Sequence, residues 1–248
     1  NETILFKCDN SYNTFIEILK YLGTVFYLSI GFILHIFLMK TILISQKSFF
    51  KDNSYFQLHV VDSIASIVVT LNELFFFKLF TYLTPLCSII GPFFWTPSIN
   101  LNMVYISLNH ARFSKSITQI FMVLNRMSCV LFPTAYNRIW RVMSSVSYLL
   151  ILFLPCAGMW NVWISRIYLK SLRGGFTLGY EKTVKWAALS LFQSIFILTA
   201  LAFTIVCSSI TFFKLIFLPE RIKPAEKSLC LTSIFISFTF VSVAITQV

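Results

Sequence analysis

The stretch WAALSLFQSIFILTALAFTIVCSSITFF, residues 186–213, contains no Asp, Glu, Lys or Arg. A helix needs about 20 apolar residues to cross a bilayer, and this run is long enough. Residues 21–39, 142–165 and 228–248 are likewise free of those four residue types. Two further stretches, near 55–78 and 99–132, are long enough but carry ionisable groups. In hydrocarbon every backbone N–H and C=O must be satisfied within the chain, so such stretches read as helices. The expected architecture is an all-α membrane protein made of a single transmembrane bundle. Its six spans are expected at about 21–44, 55–78, 99–132, 142–165, 186–216 and 228–248.

Composition agrees with that class. Hydrophobic residues make up 57% of the chain and charged ones 12%, where a soluble domain carries about a quarter charged. The 28 Phe suit lipid contact and say nothing about a ligand. A net charge of +11 would point to nucleic acid in a soluble protein. Here it reads as juxtamembrane Lys and Arg facing anionic lipid, because no basic run has the density of a nucleic-acid tract. The expected partner is the lipid bilayer, with no nucleic acid. The chain starts at Asn1 and ends at Val248 inside an apolar stretch, so the sequence reads as a fragment lacking a further segment.

Cys129, Cys156, Cys207 and Cys230 fall inside spans, where a thiol behaves as a small apolar group. Cys8 and Cys87 fall outside them. A Cys8–Cys87 disulfide is one reading and two free thiols the other. No Cys-x-x-Cys occurs, so neither a zinc nor a redox motif is expected. Asn1-Glu2-Thr3 is a glycosylation sequon, a weak pointer to an exterior N-terminus.

Between the spans, 79–98 holds Pro85, Pro92 and Pro97 and no charge. It reads as a loop dipping along the membrane surface, with Trp95 at the interface. The stretch 166–185 is basic, and Gly174-Gly175 marks a turn there. Lys and Arg counts should set orientation. With the N-terminus outside, the inner segments hold Lys40, Lys47, Lys51, Arg126, Arg138, Arg141, Lys214, Arg221, Lys223 and Lys227. That is ten of twenty, a tie. No repeat links the first three spans to the next three, which weakens carriers built on inverted repeats.

Polar groups inside spans are costly and are functional candidates by default. In span 3, Arg112, Lys115, Gln119, Met122 and Arg126 follow at spacings of 3, 4, 3 and 4 and share one helix face. That face is expected to line the bundle interior or a watery cavity. Arg112, Lys115 and Gln119 are candidate contacts for an anionic small-molecule ligand; the alternative is that the cations snorkel to headgroups or pair with Glu73. In span 2, Asp62 needs a partner, a cation or a proton. His59, one turn earlier, is a candidate partner in a polar switch. His35 and Asn161 read as interhelical hydrogen bonds. Enzyme chemistry finds no motif: there is no His-Glu-x-x-His, no Gly-x-Ser-x-Gly and no phosphate-binding glycine loop. Asp62 is the only Asp in a span, which excludes an aspartyl protease dyad within this sequence. No catalytic residue, metal site or cofactor is expected.

The segment Leu124-Asn125-Arg126-Met127-Ser128-Cys129-Val130-Leu131-Phe132-Pro133, with Tyr136 beyond, resembles the end of helix 3 in seven-helix G-protein-coupled receptors. Asn125 stands where that family has an acid, Arg126 matches its Arg, and Pro133 follows eight residues after Asn125. Leu58-His59-Val60-Val61-Asp62 resembles the Leu-x-x-x-Asp of receptor helix 2. More closely, FMVLNRMSCVLFPTAYNRIW (121–140) and ERIKPAEKSLCLTSIFIS (220–237) resemble the nematode serpentine chemoreceptors of class gamma (Srg).

The resemblance implies a seven-transmembrane receptor-like bundle with six spans present and the seventh missing. It implies a plasma-membrane location with the N-terminus extracellular, which breaks the charge tie. It further implies a chemosensory receptor signalling through a heterotrimeric G protein, with Asn125, Arg126, Pro133 and Tyr136 in coupling and switching. Asn125 cannot form the salt bridge an acid would, so a weaker resting lock or one made elsewhere is expected. Two departures fit a divergent nematode class: 166–185 has no Cys for the usual bridge from helix 3, and span 6 lacks a Trp-x-Pro hinge. The competing readings are a carrier or channel subunit whose polar span 3 lines a path, and a truncated, inactive receptor.

Overall fold

The computed structural model describes residue 8, residues 11–50, 53–90, 92 and 99–216, with side chains through Lys214. The expected sixth span, Asn1, Trp95 and Pro97 lie outside the described residues. Most of what is described is helical, with one two-stranded sheet.

Helix α1 spans Thr14–Lys40 and runs into a π-helical turn, Thr41–Ser45. It starts seven residues earlier than the apolar run. Asn13 supplies the reason: its side-chain oxygen accepts from the N–H groups of Phe15 and Ile16 at 3.0 and 3.4 Å, satisfying orphan donors at the helix start. Glu17 in the first turn then pairs with Lys20. After a short helix α2 (Lys47–Phe50), helix α3 covers Ser54–Asn72 and passes into a second π-helical segment, Glu73–Lys78.

Two more short helices follow, α4 (Leu79–Tyr82) and α5 (Thr84–Ile90), where a surface loop was expected. Pro85 did not prevent this because it sits in the first turn of α5, where a missing N–H costs nothing. Helix α6 is the longest, Ile99–Leu131. Helix α7, Tyr136–Gly158, holds Pro155. It begins before the expected span at 142, so Arg138 and Arg141 lie on its first turns rather than in a loop. Helix α8 is short, Trp160–Ile164, and α9 runs Leu189–Ile216.

Between α8 and α9, the expected basic loop is a β-hairpin, strands β1 (Arg166–Leu172) and β2 (Gly175–Glu181), and it is the one departure from an all-α fold among the described residues. Ile167, Tyr168 and Leu169 face Tyr180, Gly179 and Leu178 across it. Such β-branched and aromatic alternation favours strands. The turn residues are Arg173 and Gly174, both with positive φ (51° and 77°), the geometry of a two-residue hairpin turn that matches strand twist.

Four helical segments are long and apolar enough to cross a membrane: Thr14–Ser45, Ser54–Tyr82, Tyr136–Gly158 and Leu189–Lys214. Helix α6 carries His110, Arg112, Lys115 and Arg126 and is not among them. The described residues fall into two compact units. The first takes the described residues up to Thr41, with Ser63–Arg112 and Cys156–Leu189. The second takes the described residues of 42–62, Phe113–Pro155 and the described residues from Ser190. Each is described by itself.

In the first unit the hairpin lies against α4. Phe176 stacks on Phe80 with ring centroids 4.8 Å apart, and the Thr81 hydroxyl donates to the Phe176 carbonyl at 3.3 Å. Gly175 is required for that approach, because a Cβ there would sit 2.1 Å from the Phe80 carbonyl oxygen. Arg173 donates to the Tyr82 hydroxyl at 3.0 Å. A disulfide joins Cys8 to Cys87 of α5. In the second unit, Tyr55, Leu58, Ile117, Phe121, Met122, Trp140 and Ile151 form a buried apolar core.

Candidate functional site

Two clusters of polar side chains stand out, one in each unit. In the first unit the centre is Glu73, at the start of the π-helical segment. Arg112 of α6 hydrogen-bonds to its Oε1, and Lys78 Nζ lies 3.8 Å from its Oε2. The i→i+5 turn of a π-helix brings residue 78 back over residue 73, so the backbone irregularity is what lets one carboxylate meet two cations. The irregular turn is also held from outside: the Tyr21 hydroxyl donates to the Leu74 carbonyl at 3.4 Å. Nearby, Tyr105 lies 6.0 Å from Tyr180 and 6.4 Å from Phe77, centroid to centroid. Ser107 donates to the Asn72 side chain at 3.4 Å. One carboxylate against two cations leaves an excess positive charge beside an aromatic wall.

Of the three residues expected to contact an anionic ligand, Arg112 belongs to this cluster. Lys115 and Gln119 belong to the second unit. Gln119 is 4% exposed, and Met122, on the same expected face, packs in the apolar core rather than along water. A helix face that alternates polar and apolar residues can be buried when the neighbours supply hydrogen bonds, and spacing alone cannot report that.

The second cluster surrounds Asn125 and Arg126, near the end of α6. The Asn125 amide donates to Ser54 Oγ at 2.9 Å, and Tyr136 donates to Asn125 Oδ1 at 3.1 Å. Ser54 Oγ and the Tyr136 hydroxyl are 3.2 Å apart, so three neutral groups from α3, α6 and α7 close a triangle. Asn125 is 1% exposed. Each such bond contributes about 1 kcal/mol net, and the loss of a partner at a buried site costs more. The Arg126 guanidinium carbon lies 3.4 Å from the centre of the Tyr55 ring, a cation–π contact of about 0.5–2 kcal/mol. Among the described residues, Arg126 Nε and Nη2 are buried and have no hydrogen-bond acceptor. Below the triangle, Trp140 Nε1 donates to Ser128 Oγ at 2.6 Å, and Ser128 donates to the Asn125 carbonyl at 2.9 Å. Pro133 sits in the exposed turn that leads to Tyr136.

The His59 ring packs edge-on against Tyr55, centroids 4.6 Å apart. Asp62 is half-buried and makes no salt bridge among the described residues. His35 shares a hydrogen bond with Ser63 at 3.2 Å. Asn161 does not bridge helices: it donates to the carbonyls of Val184 and Ala187 at 3.0 and 2.6 Å and accepts from the Val184 N–H at 3.2 Å. It clamps the connection from hairpin to α9. No group of three or more His, Cys, Asp or Glu able to hold a metal occurs among the described residues.

Sequence reasoning missed Ser54 and Tyr55. Asn53 and Ser54 at the start of α3 both read as cap residues. Asn53 does cap, accepting from the Tyr55 N–H at 3.1 Å, while Ser54 turns its hydroxyl to a partner 71 residues away. No local signal separates the two roles.

Long apolar helices and a helix-terminal Asn-Arg cluster define a multi-span membrane protein of the serpentine receptor kind. A family model for Srg family chemoreceptors matches residues 21–248. Serpentine receptor class gamma-17 of Caenorhabditis elegans is 52% identical over 240 residues, covering 97% of this chain and 75% of the relative. Serpentine receptor class gamma-15 of the same nematode is 48% identical, with 97% and 75% covered. Class gamma-16 is 47% identical, with 100% and 76% covered. The chain belongs to the Srg family of chemoreceptors.

Proposed function

We propose that this serpentine chemosensory receptor binds a small, anionic cue and passes the signal to a heterotrimeric G protein across the plasma membrane, with no catalytic step. The observation that carries this reading is Arg126: a half-buried side chain whose guanidinium rests on Tyr55, with two buried nitrogens that find no acceptor among the described residues. Buried donors are almost always satisfied, so this cation is poised to accept a partner in a second state. Its neighbour Asn125 is held by hydroxyls rather than by an opposite charge. The resting lock is then neutral, and a modest difference in ligand affinity between two states shifts it.

Ligand chemistry follows from Glu73, Arg112 and Lys78. An acidic cue would compete with Glu73 for Arg112 or add to the excess positive charge, with Tyr105 and Tyr180 beside it. An extracellular N-terminus is supported by the Cys8–Cys87 disulfide, since such bonds persist in oxidising compartments. The test is Arg126→Ala, assayed by G-protein nucleotide exchange during exposure to a panel of small organic acids. Expected are normal surface expression and lost coupling; wild-type coupling would remove Arg126 from the mechanism.

A further inference from the structure

Four of the chain's tryptophans are described, and they divide sharply. Trp140 is 4% exposed, whereas Trp160, Trp163 and Trp186 are 37%, 51% and 69% exposed. The three exposed ones all flank the hairpin, at the junction where one span candidate ends at Gly158 and the next begins at Leu189. Helix α8 sorts its residues by face: Asn161 and Val162 are each 2% exposed, while Trp160, Trp163 and Ile164 point outward. The Trp186 ring lies tilted against that of Trp160, centroids 6.0 Å apart. That pairing is built by the Asn161 clamp, which fixes residues 184 and 187 on either side of Trp186. Ser165 and Thr183 add a hydroxyl contact at 3.2 Å. Exposed Lys182 and Lys185 flank the patch.

We infer that this face, Trp160, Trp163 and Trp186 with Lys182 and Lys185, docks on the glycerophospholipid headgroup layer of the membrane the protein spans. Large indoles held outward by buried hydrogen bonds are unfavourable in water. An indole is amphipathic, its ring suited to the upper acyl chains and its N–H to ester and phosphate oxygens. Its place in the chain sets the depth, because all three indoles lie within five residues of the end or start of a span. The two lysines complement lipid phosphate. A protein partner of standard size would add an aromatic core without requiring this coincidence with the span ends. The docked face fixes the height at which the hairpin leaves the bilayer and α9 enters it.

The full chain, reconstituted in phosphatidylcholine nanodiscs brominated either near the glycerol or near the acyl end, tests this. Tryptophan emission should be quenched more by shallow than by deep bromine. Trp186→Phe or Trp163→Phe should each remove about a fifth or more of the shallow-quenched emission, one indole among the chain's five. Lys182→Gln with Lys185→Gln should raise acrylamide access at Trp186. Both Phe variants change exposed side chains, and unchanged helical circular dichroism checks their fold. If the emission lost in Trp186→Phe is quenched by acrylamide and not by bromolipid, the face meets water and the proposal fails. Deep quenching, or protection from both quenchers that grows with protein concentration, places it in hydrocarbon or against a second copy and overturns it equally.

Discussion

The two units hold their polar residues in different ways. In the first, charge meets charge: Glu17 with Lys20, and Glu73 with Arg112 and Lys78, beside a Cys8–Cys87 disulfide. In the second, Arg126 lies on a tyrosine ring and Asn125 is held by two hydroxyls. Ion pairs in a poorly solvated setting are costly to break, since a lone charge is left behind. Neutral hydrogen bonds and a cation–π contact cost less to exchange. The first arrangement is the harder of the two to rearrange, and the second the easier.

That contrast can be broken by experiment, beginning with the largest effect. Cys87→Ser should lower the stability of the disulfide-bearing unit by about 2–4 kcal/mol. Hydrogen exchange should rise in α4, α5 and the hairpin while α7 stays protected; equal loosening of α7 would mean that the bridge does not act locally. Glu73→Gln leaves Arg112 and Lys78 facing each other and should cost about 1–3 kcal/mol, less than a fully buried pair because both cations are partly exposed. Thermal melting in detergent reads it, and no change would mean that Glu73 does not stabilise the first unit.

Gly175→Ala places a Cβ against the Phe80 carbonyl. The hairpin must shift, at about 1–3 kcal/mol, detectable as lost surface expression with coupling per receptor unchanged. The smallest effects belong to the neutral lock. Tyr136→Phe removes the hydroxyl's hydrogen bonds to Asn125 and Ser54, about 0.5–1.5 kcal/mol each, and Tyr55→Leu removes the ring beneath Arg126, about 0.5–2 kcal/mol. Both should raise basal G-protein exchange several-fold; Tyr136→Phe should do so with little change in melting, and Tyr55→Leu with a lower melting temperature, because Tyr55 also packs in the buried core. A large stability loss without a signalling change would instead make these contacts structural.

Much of the protein was legible before its structure. Hydrocarbon imposes length and charge limits on a helix, and those limits are local, so a run such as 186–213 declares itself. Family membership was equally legible, because the motif around Asn125 and Arg126 is contiguous. The hairpin was less so: its basic residues hid the strand alternation of Ile167, Leu169, Phe176 and Leu178, and Gly174-Gly175 gave a turn without strands. The short helix α5 was obscured by Pro85, which the first turn of a helix accepts.

What the sequence determined by itself is that this is a helical, multi-span membrane protein of the serpentine kind, with candidate polar residues clustered in span 3. Only the tertiary structure decided the partners of those residues. Arg112 found Glu73 across 39 positions of chain, and Asn125 found Ser54 across 71. A helix period reports which residues share a face, but not what the face meets. That depends on how separate helices pack, where a single hydroxyl or ring within reach settles which bond forms.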